Sequence, residues 1–347
     1  MRAVVVGDIE RGGVFASLFG TVALLAPPYR DVVAGFVINK FRGDASLLEA
    51  GTTELERRSG VATLGVVPWL DGVHLDAEDS MALGAPDPWG APEGANRPGT
   101  PAGDVLDVAV LRLPRIANFT DLDPLAFEPA VRVRLVASPA IGDPDLLVIP
   151  GTKATVSDLA WMREQGLDSA VLHAAGRAGG PAVLGICGGY QMLGGDIDDD
   201  VESASGGARG LGLLDVHTAF RIPKVTRRRR GRSLGCEVEG YEIHHGRVER
   251  GPSATGWITL ADGHGTEEEG ATAANGAVWG TTLHGLFEPD GFRAAFLATV
   301  AARRGKRFVA GGRRFADARR QQFDRLADAL EAHVDLDALA GIIAAAR

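Results

Sequence analysis

Cysteine is nearly absent from this sequence. Only Cys187 and Cys236 occur among the 347 residues, which excludes a fold held together by several disulfide bonds. One disulfide between the two is the minor alternative, because such scarcity favours a reducing compartment. The N-terminus also lacks a charged and then apolar signal pattern, and no apolar stretch approaches the roughly 20 residues that a membrane helix needs. We therefore predict a cytoplasmic protein without a membrane partner.

Positive charge is the second shortage. Acidic residues outnumber basic ones by 45 to 36, which gives a net charge of −9 and argues against a nucleic-acid partner. The one strongly basic run, Arg227 to Arg230, is expected to be a solvated loop. Close Cys-x-x-Cys and His-x-x-x-His pairs are lacking as well, so we predict no metal site.

What the sequence does contain is an alternation of apolar strands with helical segments, the pattern of an α/β fold with parallel sheets. A stretch rich in Gly, Pro, Ala and Asp over residues 84–104 predicts a linker. We predict a first α/β domain over residues 1–83 and a second over 105–340, which ends in an amphipathic packing helix from Arg314 to about Leu339. The predicted strands are 3–8, 32–39 and 62–68 before the linker, and 107–111, 145–149 and 183–186 after it.

A cysteine directly follows the last predicted strand. In the segment PAVLGICGGY, Cys187 lies between this strand and a helix predicted from Gln191 onward, with glycines close on both sides. This is the arrangement of a nucleophile elbow, where small neighbours are needed because the backbone is strained. The start of the helix would favour the thiolate, and the amide of Gly188 can donate to the oxyanion that forms when the thiolate attacks a carbonyl.

A thiol nucleophile needs a base, and His284 is the best candidate. It lies in WGTTLHGLF, which predicts a strand ending in a glycine turn. His244 and His245 in GYEIHHG compete with it, but adjacent residues of a strand point to opposite faces, so at most one of them can face the site. We interpret both as secondary site residues or structural residues.

The motifs LGICGGYQMLG, GYEIHHG and TTLHGLF together resemble the class I glutamine amidotransferase domain of the cobyric acid synthase family. Nearly the whole chain shares the likeness, apart from the linker and the basic run. The resemblance implies a partial parallel-sheet synthetase domain of the P-loop-like kind, followed by a flavodoxin-like amidotransferase domain. Further stretches that resemble the family, in order, are DIERGGVFASLFGT, INKFRGD, EDSMAL, LPRIANFTDLDPL and PGTKATVSDLAWMREQGL.

The resemblance implies that Cys187 attacks the side-chain amide of glutamine to form a glutamyl thioester, while His284 moves the protons and ammonia leaves. Gly151 and Thr152 would supply an oxyanion donor besides that of Gly188, with a plain strand-ending turn as the alternative. The ammonia would serve the amidation of peripheral carboxylates of adenosylcobyrinic acid a,c-diamide, with ATP and Mg, to give adenosylcobyric acid in cobalamin biosynthesis. A related amidotransferase acting on cell-wall lipid precursors is the alternative.

One position departs from the wider class. Many class I amidotransferases carry a glutamate two residues after the histidine, where this sequence has Leu286. The sequence resembles a branch that uses Cys and His without that glutamate, and Glu288 is a weak alternative for orienting the imidazole. Without an orienting carboxylate, we expect glutamine hydrolysis to be slow until the synthetase site is engaged.

The phosphate-binding loop of the family's synthetase domain, G-x-x-x-x-G-K-[ST], does not occur in the sequence. ATP binding by this chain alone is therefore expected to be weak or absent. Asp8, Asn39 and Lys40 are candidate synthetase-site residues, each with a structural role as the alternative. The domain is expected to lack its front part, through an internal start or a split enzyme. It should then form a homo-oligomer or bind a separate synthetase partner, and an isolated glutaminase subunit or inactive fragment is the alternative function.

Overall fold

A computed structural model of the protein describes residues 1–73, 103–203, 206–261 and 265–346. Its contacts divide the chain into two compact units: unit 1 contains Met1–Leu75 and Asp317–Arg347, and unit 2 contains Asp76–Ala316. The expected linker, residues 84–104, lies almost entirely outside the described residues. In the described part of the chain, no helix combines the length and apolarity that crossing a bilayer requires.

Both units are built from strands and helices that alternate along the chain. The fifteen strands among the described residues are β1 Ala3–Asp8, β2 Val33–Phe41, β3 Thr63–Pro68, β4 Leu106–Leu111, β5 Val131–Val136, β6 Leu146–Ile149, β7 Ala182–Ile186, β8 Asp196–Asp198, β9 Ala208–Arg209, β10 Val216–Ser233, β11 Cys236–Arg250, β12 Ile258–Ala261, β13 Thr266–Glu269, β14 Ala271–Thr272 and β15 Val278–Thr281. The α-helices there are α1 Val14–Leu24, α2 Pro27–Arg30, α3 Glu49–Ser59, α4 Asp123–Phe127, α5 Thr155–Glu164, α6 Leu167–Gly176, α7 Gly188–Leu193, α8 Asp290–Arg303, α9 Phe315–His333 and α10 Leu336–Ala345.

Unit 1 is a parallel sheet of order β1-β2-β3 with apolar clusters on two sides. The predicted strands before the linker are confirmed. One cluster joins Phe36 and Ile38 of β2 to α1 and α3 through Leu18 and Leu55. Because successive strand residues point to opposite faces, Val37 belongs to the other cluster.

The C-terminal helices belong to unit 1, whereas the sequence suggested that the second domain continues to residue 340. The amide of Asp335, between α9 and α10, donates to the carbonyl of Leu64 at 2.7 Å. A Cβ at Gly65 would lie only 2.1 Å from the carbonyl oxygen of His333, so glycine is needed for this approach. Amphipathic spacing predicts that a helix has an apolar face, but not which sheet receives it. The apolar contacts join Val334, Ala338 and Ile342 to Val37, Leu64 and Val67.

The first of two six-stranded sheets in unit 2 has the order β14-β15-β7-β6-β4-β5 and is parallel except for β14 at its edge. The strands predicted after the linker are confirmed, and β4, β6 and β7 are almost wholly buried. Parallel strands bring their carboxyl ends to one edge of the sheet, where α/β proteins place their sites. The turn after Ile149 and the cysteine after Ile186 therefore meet.

A second sheet in unit 2 has the order β13-β12-β10-β8-β9, and β11 pairs with β10 in a long hairpin. The run Arg227 to Arg230 lies within β10, so the expectation of a solvated loop was wrong. The opposing strand supplies glutamates: Arg227 pairs with Glu242, and Arg230 with Glu239. Arg229 is buried between Glu242 and Glu267. Cross-strand charge pairing makes a strand out of a run that looks like a loop by itself.

Candidate active site

Cys187 stands at a strained turn between β7 and α7. Its backbone has φ 51° and ψ −108°, which a residue other than glycine adopts only under constraint from its surroundings. Its amide donates to the carbonyl of Thr281 at 2.7 Å. A Cβ at Gly189 would lie 1.9 Å from the carbonyl oxygen of Ile149, so only glycine fits there. The structure thus places Cys187 at an elbow, as its flanking glycines predict.

The residues predicted to surround the thiol with backbone donors are brought together. A Cβ on Gly151 would lie 3.8 Å from Cβ of Cys187 and 3.1 Å from Cε1 of His284. A Cβ on Gly188 would lie 3.2 Å from the amide nitrogen of Thr152. The Thr152 hydroxyl donates to Asp158 at 2.5 Å, so the donor that this residue can offer an oxyanion is its backbone amide.

The imidazole of His284 is fully buried and held on both sides. Its Nδ1 lies 2.7 Å from Oδ2 of Asp121, and a carboxylate at that nitrogen fixes the proton on Nδ1 and leaves Nε2 for Cys187. The other carboxylate oxygen accepts the amide of Gly285 at 2.7 Å. Asp121 therefore orients the ring and also anchors the turn that carries it.

The charges around His284 favour the imidazolium. Burial disfavours the charged ring, but the Asp121 carboxylate and a hydrogen bond with Cys187 outweigh burial and raise the pKa of His284 to about 10. At neutral pH this arrangement supports an imidazolium, whose Nε2 carries a proton that a leaving group can take.

Asp121 is the residue that the sequence reasoning missed. Leu286 stands where many class I amidotransferases have a glutamate, which suggested a site without an orienting carboxylate. Leu286 is buried in the apolar core, and Asp121, which comes from another element, supplies the carboxylate at Nδ1 of His284. It belongs to a 3-10 helix, Phe119–Leu122, in the stretch LPRIANFTDLDPL that resembles the family. The reason for expecting slow hydrolysis is therefore removed. The one sign of Asp121 in the sequence was that an acidic residue lies within a stretch that resembles the family.

His244 and His245 lie on β11 and point to opposite faces, as predicted. Nδ1 of His244 donates to the carbonyl of Gly246 at 2.6 Å, and Nδ1 of His245 donates to that of Arg221 at 3.0 Å. These bonds stay within the β10–β11 hairpin and fit the structural interpretation. Cys236 is half-buried and both cysteines are free thiols, so the alternative of a disulfide is excluded.

Two buried glutamates hold the chain segment that leads to His284. Glu269 accepts the amide of Thr282 at 2.6 Å and the hydroxyl of Thr281 at 2.8 Å, and burial raises its pKa. Burial acts in the same direction on Glu242, but His244 and the neighbouring Arg227 outweigh it and lower the pKa of Glu242 to about 2. Hydrogen bonds from Thr281 and Thr282 to these glutamates thus fix the segment.

The three candidate synthetase-site residues meet in unit 1. Asp8 and Asn39 are direct neighbours in the β1–β2 register, and Nζ of Lys40 lies 2.8 Å from Oδ2 of Asp8. That contact lowers the pKa of Asp8. Lys40 has φ 65°, an uncommon conformation for lysine. Among the residues that the structure covers, no group of three or more His, Cys, Asp or Glu side chains is arranged to hold a metal ion.

The sequence matches a known family model and known proteins. Residues 107–292 match the family model of the CobB/CobQ-like glutamine amidotransferase domain. The chain is 50% identical to a cobyric acid synthase of Nocardia farcinica over 99% of its own length and 67% of that protein. It is 49% identical to one of Streptomyces avermitilis over 98% of its length and 64% of that protein. It therefore spans about two thirds of the length of these relatives.

Two solved structures align with part of the chain. A structure titled as a glutamine amidotransferase aligns with 56% of this chain and 98% of its own, at 18% identity and a TM-score of 0.44. PurLQS from Thermotoga maritima aligns with 56% of this chain and 99% of its own, at 14% identity and a TM-score of 0.45.

Proposed function

The chain belongs to the cobyric acid synthase family, with its CobB/CobQ-like glutamine amidotransferase domain, and from this premise we propose that unit 2 hydrolyses glutamine to release ammonia. The observation that carries the proposal is the ring of His284, held between Cys187 and a buried carboxylate 2.7 Å from Nδ1. This is the nucleophile, base and orienting acid of a thiol-dependent acyl transfer.

The reaction follows from the positions of these groups. The Cys187 thiolate attacks the side-chain carbonyl carbon of glutamine, and the amides of Gly188 and of the turn at Gly151 and Thr152 stabilise the oxyanion. Nε2–H of His284 protonates the amide nitrogen, which leaves as ammonia, and a glutamyl thioester remains. His284, now neutral, takes a proton from water as the water attacks the thioester, and glutamate departs with the thiolate restored.

The proposal also assigns a use for the ammonia. The relatives are named cobyric acid synthase, so we place this chain in cobalamin biosynthesis, where ammonia converts peripheral carboxylates of adenosylcobyrinic acid a,c-diamide to amides. Glutamine and this corrinoid are then its substrates. Family likeness supports this step, whereas the site geometry supports the glutaminase.

ATP and Mg, which the family's amidation requires, do not fit the residues present. The sequence has no phosphate-binding loop, and the Asp8 carboxylate is occupied by Lys40 and by the amide of Glu10 at 3.0 Å. Amidation should require phosphate-binding residues from outside this sequence, and a homo-oligomer of this chain would not supply them.

The test is glutamate release from glutamine by the purified chain, compared with Cys187→Ala, with and without ATP and the corrinoid. Cys236→Ala is the matched control, because it removes the other thiol. We expect release by wild type and control without ATP, and a loss of at least about 10³-fold in Cys187→Ala. Equal release by wild type and Cys187→Ala would refute the glutaminase. Amidated corrinoid formed by this chain alone would refute the need for phosphate-binding residues from outside this sequence.

A further inference from the structure

Besides Cys187, the side chains of Asn118 and Tyr241 lie near Nε2 of His284 or against its ring. The amide nitrogen Nδ2 of Asn118 lies 3.1 Å from Nε2. The Tyr241 hydroxyl donates to Oδ1 of the same amide at 3.2 Å, and the Tyr241 ring is tilted over the imidazole with its centroid 5.3 Å away. A carboxamide therefore bridges the imidazole and a phenol.

The backbone shows that Asn118 is placed for this contact. It has φ 51° and ψ 46°, the left-handed conformation that Asn adopts more readily than most residues. It immediately precedes the 3-10 helix that contains Asp121, and the Asp121 amide donates to its carbonyl at 3.0 Å. One short turn thus provides Asp121 for Nδ1 of His284 and Asn118 for Nε2.

The partner at Nε2 has to change when the ring is protonated. A neutral ring with its proton on Nδ1 accepts from the Asn118 amide nitrogen, whereas an imidazolium presents N–H at both nitrogens and needs an acceptor. Rotation of the Asn118 amide brings Oδ1 to Nε2. The Tyr241 hydroxyl can then accept from Nδ2, because a hydroxyl is both donor and acceptor.

We propose that Asn118 and Tyr241 are positioning residues that hold Nε2 of His284 in both protonation states by rotation of the Asn118 amide. This inference rests on the proposed glutaminase. Asn118 carries the same carboxamide group as the reacting end of glutamine, and its nitrogen lies at hydrogen-bonding distance from Nε2, where the leaving nitrogen must be protonated. The Asn118 amide occupies Nε2 in the resting site and gives way when glutamine arrives.

Among the described residues, the titratable groups that contact the ring are Asp121 at Nδ1, Cys187 at the elbow and Tyr241 against the ring face, and any test has to account for them. A Cys187→Ala background removes the thiolate, so that Nε2 responds to Asn118 without the charge of the nucleophile. The protonation of Nε2 can then be followed by nitrogen NMR of ¹⁵N-histidine protein, which does not depend on turnover.

In this background, Asn118→Asp offers only an acceptor with negative charge, and Asn118→Leu has similar volume without a hydrogen bond. We expect the protonation midpoint of His284 to rise by about one pH unit or more in the Asp variant and to fall in the Leu variant. With Cys187 present, kcat should fall about tenfold in Asn118→Leu and less in Tyr241→Phe. Tyr29→Phe, an exposed tyrosine of unit 1, is the control.

A structural role alone would lower activity in both Asn118 variants and leave the midpoint unchanged, and that result would overturn the proposal. A midpoint that moves the same way in both variants would overturn it too. If the wild type released no glutamate through Cys187, the glutaminase itself would fail. Unchanged midpoints beside normal wild-type turnover would refute only the pair of positioning residues.

Discussion

The two units each contain an ion pair at the carboxyl ends of parallel strands, and the two pairs differ in burial rather than in length. Asp8 and Lys40 of unit 1 are 2.8 Å apart with side chains 31% and 42% exposed. Asp121 and His284 of unit 2 are 2.7 Å apart with side chains 5% and 0% exposed. Water screens the first pair and not the second, so similar distances give unequal coupling.

The surroundings of the two pairs show what holds a site in a fixed geometry. Around His284, a backbone amide, a tilted aromatic ring and two buried glutamates hold the segment that carries the ring, so Asp121 and His284 are arranged before glutamine binds. Around Lys40, the visible constraint is a strained backbone beside exposed charges. Removing a charge from the Asp121–His284 pair should therefore have a large effect, whereas removing one from the Asp8–Lys40 pair should have a small effect.

The largest effect is expected from Asp121→Asn, which keeps the shape of the buried partner and removes its charge. The pKa of His284 is raised largely by this carboxylate, so it should fall from about 10, and the alkaline limb of the kcat profile should move to lower pH. We expect kcat for glutamate release to fall about 10²- to 10⁴-fold. Asp143→Asn, an exposed acid of unit 2 paired with Arg177, is the control. A kcat within threefold of wild type would show that Asp121 does not orient the ring.

The second largest effect is expected at Arg293, a buried residue that binds the loop after His284. Arg293 is 1% exposed, lies 2.9 Å from Glu128, and donates to the carbonyl of Phe287 at 2.9 Å. Arg293→Met leaves the buried carboxylate of Glu128 uncompensated and should lower the free energy of unfolding of unit 2 by about 3–5 kcal/mol. Arg177→Met, which breaks an exposed pair, should change it little. The measurement is urea unfolding of each variant.

The comparison variant for that experiment is the double change Arg293→Met with Glu128→Leu. Removing both charges also removes the uncompensated carboxylate, so part of the lost stability should return. A double variant as unstable as Arg293→Met would mean that the loss comes from the hydrogen bonds to the loop and not from the buried charge.

Local pattern was sufficient for the strands, the elbow and the position of His284. Each is encoded within about ten residues, by an apolar run and by glycines that permit close approach, as at Gly189 against Ile149. Asp121 could not be found in this way, because it reaches His284 across 163 residues of sequence. The pairing of an acid with a distant imidazole is decided by topology and leaves no periodicity.

The same limit explains the expectations that failed. Arg227 to Arg230 resembles a solvated loop until the glutamates of β11 and β13 are placed opposite it. The amphipathic C-terminal segment has an apolar face that could cover either sheet, and the close approach to Gly65 that selects unit 1 is visible only in three dimensions.

The smallest effect, and the sharpest contrast with Asp121, is expected at Lys40. Its φ of 65° is strained for lysine and suits glycine, so Lys40→Gly should relieve about 1 kcal/mol of backbone strain while losing only a solvated contact to Asp8. We expect hydrogen exchange of the β1 and β2 amides to slow slightly or stay the same. In Lys40→Met, which keeps the strain and loses the charge, exchange should be the same or slightly faster. Glutamate release should not change in either variant, because the proposed glutaminase lies in unit 2. Markedly faster exchange in Lys40→Gly would show that the Asp8–Lys40 pair stabilises unit 1 as a buried pair would, and the contrast between the two units would then fail.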